Sequence, residues 1–139
     1  MFTNDDILMP LAIAVVIDRH VREPELSEFA KQGQALQRLF DLDVMTEDEL
    51  IEWFVVNIED LKEKLDSKRR NTLVLRVLSK FTEGVHMDNL YDAIVQISVS
   101  DKEYRREESE FVKSAATLWG YDRPPIKICL LYTSDAADE

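Results

Sequence analysis

The chain has 139 residues with only three Gly and four Pro, and 45% of its residues are hydrophobic, which is typical of a single folded, helix-rich domain. Its formal net charge of −11 argues against nucleic acid or an anionic membrane as partner and favours cations or basic protein surfaces. No apolar run is long enough to cross a membrane. Because Asn4, Asp5 and Asp6 precede the first apolar stretch, where a secretory signal would carry positive charge, we expect a cytoplasmic protein.

A first helix is predicted after Thr3 or Asn4, either of which can serve as its N-cap. Five residues share one face of this helix: Ile7, Leu11, Ala14, Val15 and Asp18. Pro10 interrupts the pattern, so the helix either begins near Met9 or is kinked at Pro10.

A second helix is predicted with Pro24 at its first position, where the missing N–H of proline is tolerated. Its apolar stripe consists of Leu26, Phe29, Gly33, Leu36 and Phe40. Gly33 lies on this stripe, and we predict that another helix approaches closely there. The alternative is that Gly33 only weakens the helix, by about 1 kcal/mol.

A third helix is predicted after the capping box formed by Thr46 and Glu49. Its inward residues are Leu50, Phe54, Ile58, Leu61 and Leu65. The helix either runs to Asp66 or breaks near Asn57. A fourth helix is predicted over Asn71–Phe81, after a polar and basic bend.

The last two helices follow a turn that we place on Gly84, with Asp88 as the expected N-cap of the fifth helix. Its inward face carries Leu90, Ile94, Ile97 and Asp101, and the inward face of the final helix carries Phe111, Ala115 and Leu118. Gly120 is the predicted helix stop. The sequence therefore predicts one all-α domain of six or seven helices within residues 1–122.

A pattern of helix, acidic turn and helix occurs twice in the chain, which predicts two pseudo-symmetric units. The shared positions are Asp18 and Asp101, the basic Arg19 and Lys102, Val21 and Tyr104, and finally Glu25 and Glu108. One interpretation is structural, because an Asp in such a bend can cap the next helix. The other is a cation site, because clustered carboxylates suit Ca²⁺, Mg²⁺ or Mn²⁺.

This doubled pattern resembles the TerB-like family, the tellurite-resistance B proteins, over roughly Leu8–Tyr121. The resemblance implies an all-helical bundle of two related halves, usually bacterial and cytoplasmic, with a role in stress response or tellurite resistance. It also implies metal binding by acidic residues, which correspond to Asp18, Glu25, Asp101 and Glu108. The family has Gly after the Asp, whereas this chain has Arg19 and Lys102, and a basic side chain there can compete with a metal ion.

Two functions therefore stay open. The first is a non-enzymatic module of a stress system that binds a protein partner, and the second is a divalent-cation-binding protein that uses the paired acidic turns. No catalytic or cofactor motif is recognisable, and His20 and His86 are both predicted to lie in turns. The identity of the partner and the oligomeric state do not follow from the sequence.

Residues 123–139 form a tail that cannot continue the last helix, because Pro124 and Pro125 interrupt it. Its final part, Cys129–Glu139, resembles translated sequencing-adapter read-through, and we treat it as a non-native extension outside the fold. The alternative is a genuine acidic tail. Without this segment the chain has no cysteine, and its natural C-terminus is then expected to differ from the one printed.

Overall fold

The computed structural model describes residues 2–17, 20–100 and 106–120, apart from the side chain of Glu107. Six helices occupy these ranges: α1 Asn4–Val16, α2 Glu23–Leu39, α3 Glu47–Leu65, α4 Arg70–Leu78, α5 Gly84–Ser98 and α6 Arg106–Trp119. These ranges contain no strand, so the all-α prediction is confirmed. Within them, no helix is both long and apolar enough to cross a membrane.

Helix α1 is the central helix of the bundle. Every residue from Pro10 to Val16 is buried, and the helix packs against α2, α3, α4 and α5. A helix that is hydrophobic on all sides belongs in the interior of a domain. The sequence predicted one buried face for this helix, whereas its C-terminal half is buried on all sides.

The start of α1 is fixed by a reciprocal cap. The backbone N–H of Asp6 donates to Thr3 Oγ1 at 3.3 Å, and the backbone N–H of Thr3 donates to Asp6 Oδ2 at 3.0 Å. The helix consequently begins at Asn4 and continues through Pro10, so the alternative start near Met9 was wrong. Burial of Pro10 itself helps to offset the hydrogen bond that its ring removes.

Helix α2 begins at Glu23, one residue earlier than predicted, so Pro24 occupies its second position. The predicted close approach at Gly33 is confirmed, because a Cβ atom built there would lie 3.1 Å from Leu8 Cδ2. A methyl group at position 33 would therefore have to displace the side chain of Leu8 by a few tenths of an ångström.

Helix α3 has the predicted N-terminal capping box, with the backbone N–H of Thr46 donating to Glu49 Oε1 at 2.8 Å. It runs unbroken to Leu65, and all five predicted inward residues are buried. Helix α4 is shorter than predicted and ends at Leu78. Phe81 is still buried, although it lies beyond the end of the helix.

Helix α5 begins earlier than predicted, with Glu83 as its N-cap residue. The backbone N–H of Met87 already donates to the carbonyl of Glu83 at 2.9 Å, so helical bonding is established before Asp88. The assignment of Asp88 as the cap was therefore wrong. His86 consequently lies in a helix and not in a turn.

In α6, the predicted burial of Phe111 and Ala115 is confirmed, but Leu118 is exposed. The prediction for Leu118 was wrong, because the bundle covers this end of α6 only partly. Gly120 has a positive φ of 84° and ends the helix, as predicted.

The two halves of the repeat correspond closely in sequence register. Helix α2 begins at Glu23 and α6 at Arg106, which are 83 residues apart. The same offset pairs buried Leu11 of α1 with buried Ile94 of α5. Helices α1 and α5 pack against each other, and α2 packs against both, whereas α6 packs mainly against α5 and α4. The correspondence is therefore clear in helix order and burial but incomplete in packing.

Candidate functional site

Two of the four predicted metal ligands are described by the structure, and both are fully buried. Glu25 is the third residue of α2, and Glu108 is the third residue of α6. Each has a relative exposure of 0%. The acidic pattern found in the sequence thus places one buried carboxylate at the same position in each half.

A glutamate in the first turn of a helix is favoured by the positive end of the helix dipole. Complete burial of its charge requires a partner as well. For Glu25 one partner is Arg22, whose Nη1 lies 3.7 Å from Glu25 Oε1. The side chain of Arg22 is itself three-quarters buried, which strengthens this interaction relative to a surface pair.

The other two predicted ligands, Asp18 and Asp101, lie outside the described residues, as do Arg19, Lys102, Tyr104 and the tail from Tyr121 onward. Among the described residues, no group of three His, Cys, Asp or Glu side chains is arranged to hold a metal ion. Glu25 and Glu108 supply oxygen donors of the kind that hard divalent cations prefer. Metal binding by the four acidic residues therefore stays a prediction.

Arg70, which the sequence predicts only as part of a basic bend, connects two helix ends close to the first predicted acidic turn in sequence. Its Nη2 donates to the carbonyl of Ile17 at 3.3 Å, and its Nη1 lies 3.4 Å from the carbonyl of Leu65. Arg70 thereby joins the C-terminal ends of α1 and α3 immediately before the first acidic turn. An arginine at a helix start, where the dipole disfavours a cation, was the available signal.

A second region of interest is the solvent-facing side of α3, which we call the α3 outer face. Its members are exposed and recur at helical spacing: Glu52, Val55, Val56, Glu59 and Glu63. Val55 and Val56 are 61% and 73% exposed. Two adjacent valines at the centre of a helix thus face solvent between carboxylates.

Among the described residues, His86 belongs to no cluster of possible metal ligands and packs against aromatic rings instead. Its ring stacks on Phe40 with centroids 4.1 Å apart and meets Phe2 edge-on at 5.6 Å. His20 is exposed. The aromatic contacts give His86 a packing role where α2 ends and α5 begins.

Comparison of the chain with protein-family models, with curated proteins and with solved structures gave no match.

Proposed function

We propose that this chain is a non-enzymatic, TerB-like protein of a bacterial stress response associated with tellurite resistance, and that it acts in the cytoplasm by binding a protein partner. The observation that carries the proposal is the burial of Glu25 and Glu108 at the same position of α2 and α6. These are two of the acidic positions on which the family resemblance rests. Their burial indicates that these two acidic positions matter for the structure, because acidic residues scattered by chance would be expected on the surface.

The α3 outer face is the surface that suits a protein partner. Val55 and Val56 expose apolar area that solvent-facing helix positions seldom carry side by side. Glu52, Glu59 and Glu63 surround them with negative charge. A partner with an apolar centre and a basic rim would complement this face in both respects.

The test is co-purification of the tagged full chain from a bacterial host that encodes it. Val55→Lys together with Val56→Lys should abolish capture of a specific partner, because lysine removes the apolar contact. Val85→Lys is a control for placing lysine at an exposed valine elsewhere, since Val85 is 60% exposed but lies on α5. The proposal fails if no partner is captured specifically, or if capture survives the double substitution.

The second candidate function is divalent-cation binding through the paired acidic turns. The observation that favours it is that Glu25 and Glu108 are both buried and each follows one of the predicted ligands Asp18 and Asp101 by seven residues in the sequence. Carboxylates that converge on one point are a donor set suited to Ca²⁺, Mg²⁺ or Mn²⁺. Arg22 beside Glu25 opposes this function, because its guanidinium already supplies positive charge there.

A thermal titration separates the two functions. A cation that binds only the native state raises the melting temperature as its concentration increases. Under the cation hypothesis, Ca²⁺ or Mn²⁺ should stabilise the wild type, and Asp18→Asn with Asp101→Asn should remove the response. A partner-binding module need show no response, so a flat titration would reject the cation site and leave the first proposal standing.

A further inference from the structure

A basic groove lies between α3 and α4 in an otherwise acidic chain. Residues 62–80 contain seven Lys or Arg and two Asp or Glu, whereas the whole chain contains 17 and 28. The groove has a volume of about 360 Å³, and we define it by its lining: Lys64, Ser67, Arg69, Thr72, Leu73 and Arg76.

The fold uses some of these basic side chains but not all of them. Lys64 forms an ion pair with Asp60 at 3.0 Å. Arg69 and Arg76 are exposed and form no ion pair with any other residue that the structure describes. Within the part of the chain that the structure describes, the guanidinium groups of Arg69 and Arg76 are therefore not used in ion pairs.

The position of Arg69 is unfavourable for the helix that it precedes. It is the N-cap residue of α4, makes no side-chain capping hydrogen bond, and is followed by a first turn without an acidic residue. The positive end of a helix dipole disfavours a cation at this point. The stability of α4 therefore does not account for arginine at this position, whereas an anionic ligand would.

The chemistry of the groove favours carboxylates. A guanidinium group presents a planar fork of donors that binds a carboxylate through two parallel hydrogen bonds. The hydroxyl of Thr72 adds a further donor, and the buried Leu73 supplies an apolar floor. An extended ligand with spaced carboxylates could thus contact Arg69 and Arg76 together.

The rest of the chain limits the size of that ligand. Outside residues 62–80 there are 10 basic and 26 acidic residues. At physiological ionic strength a charge acts over about 8 Å, so a ligand confined to the groove meets mainly positive charge. A nucleic-acid duplex or an anionic bilayer extends beyond it and meets the acidic remainder.

From these observations we infer that the basic groove binds a short acidic segment of a protein partner, whose carboxylates contact Arg69 and Arg76. This goes beyond the proposed function, because the α3 outer face is acidic and suits a basic partner. Substitutions can disrupt binding at the two surfaces separately, so a negative result for the basic groove does not test the α3 outer face, and the reverse also holds.

The test uses fluorescence anisotropy with the full chain and a short fluorescein-labelled peptide of alternating Glu and Gly. The wild type should bind this peptide, bind it less tightly as salt increases, and ignore a peptide with Gln in place of Glu. Arg69→Ala with Arg76→Ala should weaken binding about tenfold or more, since each removes a charge-assisted contact. Lys31→Ala with Arg38→Ala, exposed on α2 outside the groove, makes the same charge change and should leave binding unchanged.

Several results would overturn the inference. One is failure of the wild type to bind the acidic peptide, and another is equal weakening by the two double variants, which would indicate charge alone. Competition by duplex DNA that is stronger than by the unlabelled peptide would identify a nucleic-acid surface instead. If sedimentation shows a wild-type dimer that Arg69→Ala with Arg76→Ala dissociates, the occupant is a second copy of this chain. Circular dichroism of each variant establishes that it is folded.

Discussion

Gly33 of α2 packs directly against Leu8 of α1, and a methyl group on Gly33 would lie 3.1 Å from Leu8 Cδ2. On the α3 side, Leu50 Cδ2 would lie 3.4 Å from the same methyl group. Three helices therefore meet around one absent side chain. Leu8 and Leu50 are both fully buried, so neither can move away without disturbing the core.

Gly33→Ala should lower the free energy of unfolding by about 1 kcal/mol. The substitution gains about 1 kcal/mol of helix propensity, but overpacking of a filled core costs about 1–3 kcal/mol. Urea denaturation measures the difference. Gly84→Ala is the control, because a Cβ atom there meets nothing within 4 Å and should not destabilise. A Gly33→Ala variant more stable than the wild type would contradict the packing argument.

Asp6 links the N-terminus of α1 to Lys80, with Oδ1 2.9 Å from Nζ. The hydrogen bond from Lys80, followed by the one from the Thr3 backbone, lowers the pKa of Asp6 below its ordinary 3.8. Because the folded-state pKa is the lower one, this stabilisation is complete above the unfolded-state pKa. It is lost as the pH falls through the folded-state pKa.

Asp6→Asn should therefore cost about 0.5–1 kcal/mol at neutral pH, a range set by the partial exposure of the pair. The difference from wild type should shrink as the pH falls below 3.8. Urea denaturation across this pH range measures this difference. Lys80→Met should likewise make the unfolding free energy depend less on pH than in the wild type. A difference that stays constant with pH would show that the carboxylate charge is not involved.

Arg22 and Glu25 should be energetically coupled, since Glu25 is fully buried 3.7 Å from the guanidinium. Arg22→Ala leaves a buried carboxylate with less compensation and should cost about 1–3 kcal/mol. Arg22→Ala with Glu25→Gln should cost less than the sum of the two single variants. A double-mutant cycle of unfolding free energies measures this coupling, and additive effects would show that Arg22 does not support Glu25.

The N-terminus of α5 should accept a better cap. Glu83 has the extended backbone that a capping residue needs, with φ −89° and ψ 138°, but its side chain makes no capping hydrogen bond. Glu83→Asp should therefore raise the free energy of unfolding by about 0.5–1 kcal/mol. Thr46→Ala is the converse variant, because it removes an existing cap from α3 and should cost about 1 kcal/mol. Thermal melting of both variants checks the pair, and a destabilised Glu83→Asp would contradict the prediction.

The sequence alone determined the features that depend on neighbouring residues. The capping box of Thr46 and Glu49, the buried stripe of α3 and the stop at Gly120 all follow from interactions within about one helical turn or from helical periodicity. The repeat could also be recognised from sequence, because equivalent residues recur at a fixed offset of 83, as in Glu25 and Glu108.

Only the tertiary structure decided which helix faces are buried by other helices and which local sequence patterns are overridden by packing. Pro10 stays inside α1 because four other helices bury that helix, an effect that no local rule contains. Asp88 is not a cap because α5 already begins at Gly84. The complete burial of Glu25 and Glu108 likewise depends on helices packed from elsewhere in the chain. Whether Arg69 and Arg76 form ion pairs also depends on the tertiary structure, because an ion pair is a contact between side chains; among the described residues they form none.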